Sequence, residues 1–134
     1  VPFLIAAPGQ SRATGCARVV ELVDLYPTLL DLCGLPALRD LEGRSLRPLL
    51  NDPAAPWDHA AFSINARDGR PANLAVSTER YRYIERVDAT RPCELYDIQA
   101  DPREWSNLAD RPEHADALAK MRKLAAEHRR KFWR

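Results

Sequence analysis

The sequence predicts a mixed α and β chain, α/β in its opening segment and α+β after it. Three observations carry that reading. Residues 19–36 are the longest apolar stretch and have helical punctuation. From His59 to Ile98 the pattern changes to period two, as in half-buried strands. Leu118, Met121, Leu124 and Ala125 then mark one apolar stripe on a C-terminal helix. The expected order is strand and helix, then a small four-stranded antiparallel sheet covered on one face by the closing helix.

Residues 2–7 form an almost wholly apolar run ended by Pro8-Gly9, the pattern of a strand buried on both faces. Such a strand needs neighbours that this chain does not contain. The sequence also begins at Val1-Pro2 inside the pattern and without Met, so it is expected to continue a longer chain. Residues 10–18 are a polar loop carrying Arg12 and Arg18. Asp24 is expected to N-cap the following helix, with Pro27 tolerated in its first turn. Leu25, Leu29, Leu32 and Cys33 are expected to make its buried face, and Gly34 to end it as the C′ residue before Pro36. Residues 41–50 predict a short helix opened by Ser45, with Pro48 early in it. A Pro- and Ala-rich turn runs to Trp57, expected to fill an apolar gap.

Ala60, Phe62 and Ile64 alternate with Ala61, Ser63 and Asn65 as a first strand, and Arg67-Asp68-Gly69 is a turn. Residues 74–78, 80–87 and 94–98 predict three more strands, with Tyr81 and Tyr83 on one face and Arg80, Arg82, Ile84 and Arg86 on the other. Ala100-Asp101-Pro102 breaks the sheet. Asp110 or Arg111-Pro112 is expected to open the last helix, and Asp110 with Glu113 fits a capping box.

At 134 residues with 46% hydrophobic content, the chain is one domain's worth of globular protein. A net charge of +1 argues against a dedicated nucleic-acid or membrane-surface partner. There is no apolar run of about 18 residues. Cys16, Cys33 and Cys93 have no C-x-x-C spacing, and Cys33 is expected in a core.

Four blocks occur in a recognisable order: V-P-F-L-I-A-A-P-G (1–9), V-E-L-V-D-L-Y-P-T-L-L-D-L-C-G-L-P followed by L-E-G-R-S-L-R-P-L-L (20–50), T-E-R-Y-R-Y-I (78–84) and E-L-Y-D-I-Q-A-D-P-R-E-W-S-N-L-A (94–109). The chain resembles the C-terminal region of sulfatases of the alkaline-phosphatase-like superfamily, with bacterial relatives of iduronate-2-sulfatase as the nearest likeness. The resemblance implies that residues 1–57 end the α/β core, as strand plus helix. Residues 58–134 would form a C-terminal subdomain of antiparallel sheet and long helix. It implies a sulfuric ester hydrolase acting on sulfated carbohydrate, with calcium and a formylglycine nucleophile in the parent enzyme and a periplasmic or extracellular setting. A phosphodiesterase or phosphonate hydrolase of the same superfamily, or a non-catalytic binding module, are the alternatives.

Sulfate-ester cleavage needs an activated oxygen nucleophile and cationic stabilisation of the leaving sulfate. The family's formylglycine arises in C-x-P-S-R or S-x-P-S-R, and no cysteine here is followed by x-P-S-R. No Asp-Asp pair or Asp-His-Gly metal block appears either. No catalytic residue, metal ligand or cofactor is therefore assigned to this chain, which is expected to be inactive alone. His59, His114 and His128 are far apart and read as ordinary packing or surface residues. Glu94, Asp97 and Asp101 have the spacing of a carboxylate cluster that could hold calcium, with turn and cap roles the favoured reading. The basic tail Arg129, Arg130, Lys131 and Arg134 reads as the solvated end of a helix.

Residues 65–73 are the best functional candidate. The resemblance places them near the mouth of the active-site cleft, where Arg67 and Arg70 would bind carboxylate or sulfate groups of an anionic sugar. An exposed hairpin turn with solubilising arginines is the plainer and favoured reading. Many relatives have Arg where this sequence has Ser77, so no contact made by that Arg is carried over to this chain. The expected partners are the N-terminal catalytic part of the same protein and, through an exposed strand at residues 1–7 (Val1 to Ala7), a second copy.

Overall fold

The computed structural model describes residues 3–10, 12–86 and 91–132. The chain divides into two compact units, Val1–Trp57 and Asp58–Arg134.

In the first unit, a 3-10 turn at Leu22–Asp24 runs into helix α1 (Leu25–Leu32), and a short helix α2 (Arg47–Asn51) follows. Gly34 has φ +66, and two backbone bonds, Leu35 N–H to Leu30 O (2.9 Å) and Gly34 N–H to Asp31 O (3.1 Å), close the helix as expected. The start of the helix differs from expectation. Asp24 offers no side-chain cap to α1. Its carboxylate instead accepts the N–H of Glu21, three residues back, at 2.9 Å and that of Arg44, twenty residues on, at 2.8 Å.

The buried side of α1 also differs. Asp24 and Thr28 are fully buried, whereas Leu25, Leu29 and Cys33 are exposed. The buried stripe is polar because the segment packed on it is backbone. Thr28 Oγ1 donates to Asp24 O (2.5 Å) and accepts the Leu46 N–H (2.9 Å). Ser45 Oγ donates to Asp31 Oδ2 (2.5 Å), and the Arg47 guanidinium bonds Asp31 Oδ1 (2.7 Å). Ser45 also accepts the Arg47 N–H (3.2 Å), although Leu46 occupies the N-cap position of α2; Pro48 lies in the first turn. Gly43 lets the backbones touch: a Cβ there would lie 2.1 Å from Val23 O. Trp57 is half-buried, and its indole N–H donates to Val19 O (2.8 Å).

Residues 3–7 are not a strand. A strand exists through its ladder, and no described residue pairs with this run. Leu4 is 93% exposed. Val1 and Pro2 lie outside the described residues.

The second unit is a meander: β1 (Ala61–Arg67), β2 (Arg70–Ser77), β3 (Tyr81–Arg86) and β4 (Glu94–Asp97), all antiparallel in the order β1-β2-β3-β4. Helix α3 (Ala115–Phe132) packs on β2 and β3. Leu74, Val76, Tyr83 and Leu95 from the sheet meet Leu118, Met121 and Ala125 from the helix in one core. The four strands and the helical stripe follow the sequence pattern. Towards the end of β1 the alternation no longer buries its apolar positions, and Ile64 is exposed. Val87 lies outside the described residues. The last helix opens at Arg111-Pro112, the second of the two expected places. Arg111 is in the N-cap position of a 3-10 turn at Pro112–His114 that precedes α3, with no side-chain cap, so the Asp110–Glu113 box does not form.

Candidate functional site

The candidate segment is a hairpin end, not an open loop. Asp68 (φ +52) and Gly69 (φ +73) are the two central residues of a two-residue turn, both with the positive φ that a type I′ hairpin demands. Strand pairing therefore runs to the last residues: Arg67 stands directly opposite Arg70. A register shift between Asn65 and Ala66 leaves Ala72 without a partner, a bulge that adds local twist.

Facing follows from register and burial. Leu74 and Val76 point into the core, so Asn73, Ala75 and Ser77 point to the face away from α3. Asn65 and Arg86, both paired with Asn73, share that face, and Arg67, two residues past Asn65, continues it. The end of the sheet thus presents two cross-strand arginines beside two cross-strand asparagines. Like charges directly opposite one another are unfavourable, and an anion between them removes the repulsion. Arg67 lies 3.9 Å from Asp68, with 82% of its side chain exposed. Chemically, this is a set of cationic and amide donors suited to a sulfate or carboxylate.

The other acidic and basic candidates are occupied structurally. Arg80 Nε and Nη2 both reach Asp97 Oδ2 at 2.9 Å, while Asp97 Oδ1 accepts the N–H groups of Gln99 and Ala100, each at 3.2 Å. Burial alone would raise the Asp97 pKa, but the Arg80 bond and the two backbone donors outweigh it and hold the carboxyl below its usual range. Asp101 accepts the Ser106 N–H (2.9 Å), and Glu94 accepts the Tyr96 hydroxyl proton (3.0 Å). These carboxylates do not fit a calcium site. Among the described residues, no three His, Cys, Asp or Glu side chains come together as metal ligands.

Ser77 Oγ accepts from Arg82 Nε (3.3 Å), and Arg82 also pairs with Glu104. His128 stacks on Phe62 (4.1 Å, 13° between planes), and His114 meets Tyr81 edge-on (6.4 Å). The Tyr83 hydroxyl donates to Glu85 (2.8 Å), which also pairs with Arg129; burial first, and then Glu85, push the Tyr83 pKa up. Part of the basic tail is thereby tied to the sheet; Arg134 lies outside the described residues. The three cysteines are free thiols: Cys16 and Cys33 are exposed, and Cys93 accepts from Arg122 (3.2 Å).

One feature escaped the sequence pattern. Trp105 is 77% exposed, with the Arg103 guanidinium 5.2 Å from the ring centroid. The surrounding loop is held by Asn107 Oδ1, which accepts the N–H groups of Leu95 and Ala109, both at 3.0 Å. Its sequence contains only an isolated Trp among polar residues, which has no periodicity to read. The Glu104–Arg82 pair puts this loop by the 78–80 turn, at the opposite end of the sheet from Arg67 and Arg70. The two features do not converge.

Comparison with known proteins agrees with this architecture. The family model described as N-sulphoglucosamine sulphohydrolase, C-terminal, matches residues 1–131. Arylsulfatase K of Gallus gallus is 35% identical over 90% of this chain. A structure solved in complex with its substrate D-glucosamine-2-N,6-O-disulfate is 27% identical and covers 80% of this chain, with a TM-score of 0.69. The phosphonate monoester hydrolase of Agrobacterium radiobacter is 26% identical over 81% of this chain, with a TM-score of 0.59. The chain spans only 24%, 23% and 24% of the lengths of these three proteins, about a quarter of each. With its meander, its packed C-terminal helix and a family match over nearly its whole length, the chain belongs to the sulfatase C-terminal family typified by N-sulphoglucosamine sulphohydrolase.

Proposed function

We propose that residues 1–134 are the C-terminal part of a sulfuric ester hydrolase acting on sulfated carbohydrate, of the bacterial iduronate-2-sulfatase-like kind. The family match over residues 1–131 carries the sulfatase part of this reading. The iduronate-2-sulfatase-like kind rests on the resemblance of the four sequence blocks alone. The glucosamine disulfate bound by one structural neighbour supports an amino-sugar sulfate as substrate. The nucleophile and calcium belong to the N-terminal catalytic part of the same polypeptide, which is this chain's principal partner. The chain itself binds no cofactor, nucleic acid or membrane, and is inactive alone.

In this reading Arg67 and Arg70 hold an anionic group of the saccharide without touching the reacting sulfur. The contact acts equally in ground and transition states, so its loss appears in KM. In the full-length enzyme, Arg67→Ala and Arg70→Ala each raise KM for a sulfated glucosamine disaccharide about 2- to 5-fold, the modest size expected of exposed ion pairs. KM for a small aryl sulfate stays unchanged. Equal effects on both substrates, or none, make the hairpin end a solvated turn.

The likeness to a phosphonate monoester hydrolase favours a second reading, in which the parent cleaves phosphonate or phosphate esters on the same scaffold. Parallel assays with an aryl sulfate and an aryl phosphonate monoester separate the two. A kcat/KM at least tenfold higher for the sulfate supports the first, and the reverse order supports the second.

A further inference from the structure

The loop at residues 100–106 turns its acids inward and leaves a ring and a cation outward. Glu104, at φ +57, pairs with Arg82, and Asp101 Oδ2 accepts the Ser106 N–H at 2.9 Å. The Glu104 N–H donates to Asp101 O (3.0 Å), and Asn107 ties the end of the loop to Leu95 and Ala109. Trp105 is therefore held 77% exposed on a backbone pinned on both sides, with the Arg103 guanidinium 5.2 Å from its ring centroid. Arg103 is exposed too, and among the described residues it pairs with no carboxylate. Ordering a bare aromatic side chain beside an unneutralised cation costs solvation that packing within this unit does not return.

We infer that Trp105 and Arg103 form a stacking platform for one residue of a sulfated oligosaccharide, an inference resting on the proposed action on sulfated carbohydrate. The face of an aromatic ring carries partial negative charge, which attracts the C–H groups lining one side of a pyranose. The guanidinium beside it then receives a sulfate or carboxylate of the same sugar. Charge selects this occupant over another protein surface. A protein contact surrounds its tryptophan with apolar neighbours and excludes charge from the centre. Here the ring is flanked by Arg103, Glu104 and Ser106, and its nearest companion is a cation. The 8 residues of β2 put roughly 25 Å between this end of the sheet and the end that bears Arg67 and Arg70. A disaccharide held by those two arginines does not reach Trp105, so the platform serves only a longer chain.

The test uses the full-length enzyme with heparin-derived oligosaccharides of about two and about twelve sugars, and a desulfated dodecasaccharide as control. Trp105→Ala weakens binding of the sulfated dodecasaccharide at least about fivefold, and Trp105→Phe holds it within about twofold of the parent. Arg103→Ala weakens it at least about threefold and leaves binding of the desulfated chain unchanged. None of the three alters KM for the disaccharide or moves the melting temperature by more than about 2 °C, as befits exposed side chains. A Trp105→Ala enzyme that binds the dodecasaccharide like the parent overturns the inference. So does one whose melting temperature falls by more than about 5 °C, since that seats the ring against another part of the polypeptide. Turnover of the disaccharide reports the sulfatase reading separately. An enzyme that cleaves it but binds the dodecasaccharide equally with and without Trp105 keeps that reading and loses the platform. One that cleaves no sulfated sugar, yet binds the dodecasaccharide through Trp105, keeps the platform and loses the reading.

Discussion

Replacing Asp24 by Ala tests the polar clamp of the first unit most directly. The carboxylate is fully buried and accepts two backbone donors, Glu21 N–H at 2.9 Å and Arg44 N–H at 2.8 Å. Alanine leaves both without that acceptor. A stranded donor costs about 1–3 kcal/mol, so the pair costs about 2–6 kcal/mol. A unit spanning residues 1–57 has roughly 3–9 kcal/mol of stability at the usual ~0.05–0.15 kcal/mol per residue. Asp24→Ala should therefore melt most of this unit and leave Asp58–Arg134 folded. Asp24→Asn, with one acceptor oxygen in place of two, should fall between. Hydrogen exchange reads each amide: protection at Arg44 and Leu46 should fall at least 30-fold in Asp24→Ala, while protection in β2 and β3 is unchanged. Protection at Arg44 within a factor of three of the parent would refute the clamp.

Three further outcomes follow. Gly43→Ala places a Cβ 2.1 Å from Val23 O and 2.8 Å from Asp24 N, both backbone atoms that cannot rotate away. It should destabilise the first unit by about 3 kcal/mol in urea melts, and a loss under 1 kcal/mol would contradict the close approach. Asp97 has a folded pKa below its ordinary 3.8, so its contribution is complete above about pH 3.8 and is lost as pH falls further through the folded value. Asp97→Asn should flatten that acid limb in pH-dependent unfolding of the second unit; an unchanged limb would remove Asp97 from the linkage. Deleting residues 1–8 should improve solubility and abolish any self-association through that segment, because residues 3–7 contribute no ladder and Leu4 is bare. Sedimentation showing equal association with and without them would locate it elsewhere.

The second unit was largely legible from its residues. Alternation along residues 61–86, the Asp68-Gly69 turn and the Leu118–Met121–Ala125 stripe each report local geometry, and local geometry settles a meander. The first unit was less so. Periodicity shows that α1 has an apolar side, but which side is covered depends on what packs there. The decisive contacts, Asp24 to Arg44 and Thr28 to Leu46, span about twenty residues with no pattern between them. Residues 2–7 have the composition of a strand, yet strand formation needs a partner and composition cannot provide one. At the candidate site, the arginine types and their turn were readable. Their direct opposition rests on the two-residue length of the hairpin and the bulge beside it, which the sequence pattern leaves open.

The order β1-β2-β3-β4 has a kinetic consequence. Every ladder joins strands adjacent in the chain, and the first closes through only Asp68 and Gly69. Little loop entropy is lost before contacts begin to form, so this sheet has the low contact order of a fast folder, with its first hairpin forming in about 1–10 μs. The return of α3 onto β2 and β3 spans far more of the sequence than any of these ladders. Mutations in the Arg67–Arg70 hairpin should therefore slow refolding of the second unit, whereas mutations at Met121 or Ala125 should mainly hasten unfolding. During synthesis, this part of the chain can complete its own fold without waiting for any surface elsewhere in the polypeptide.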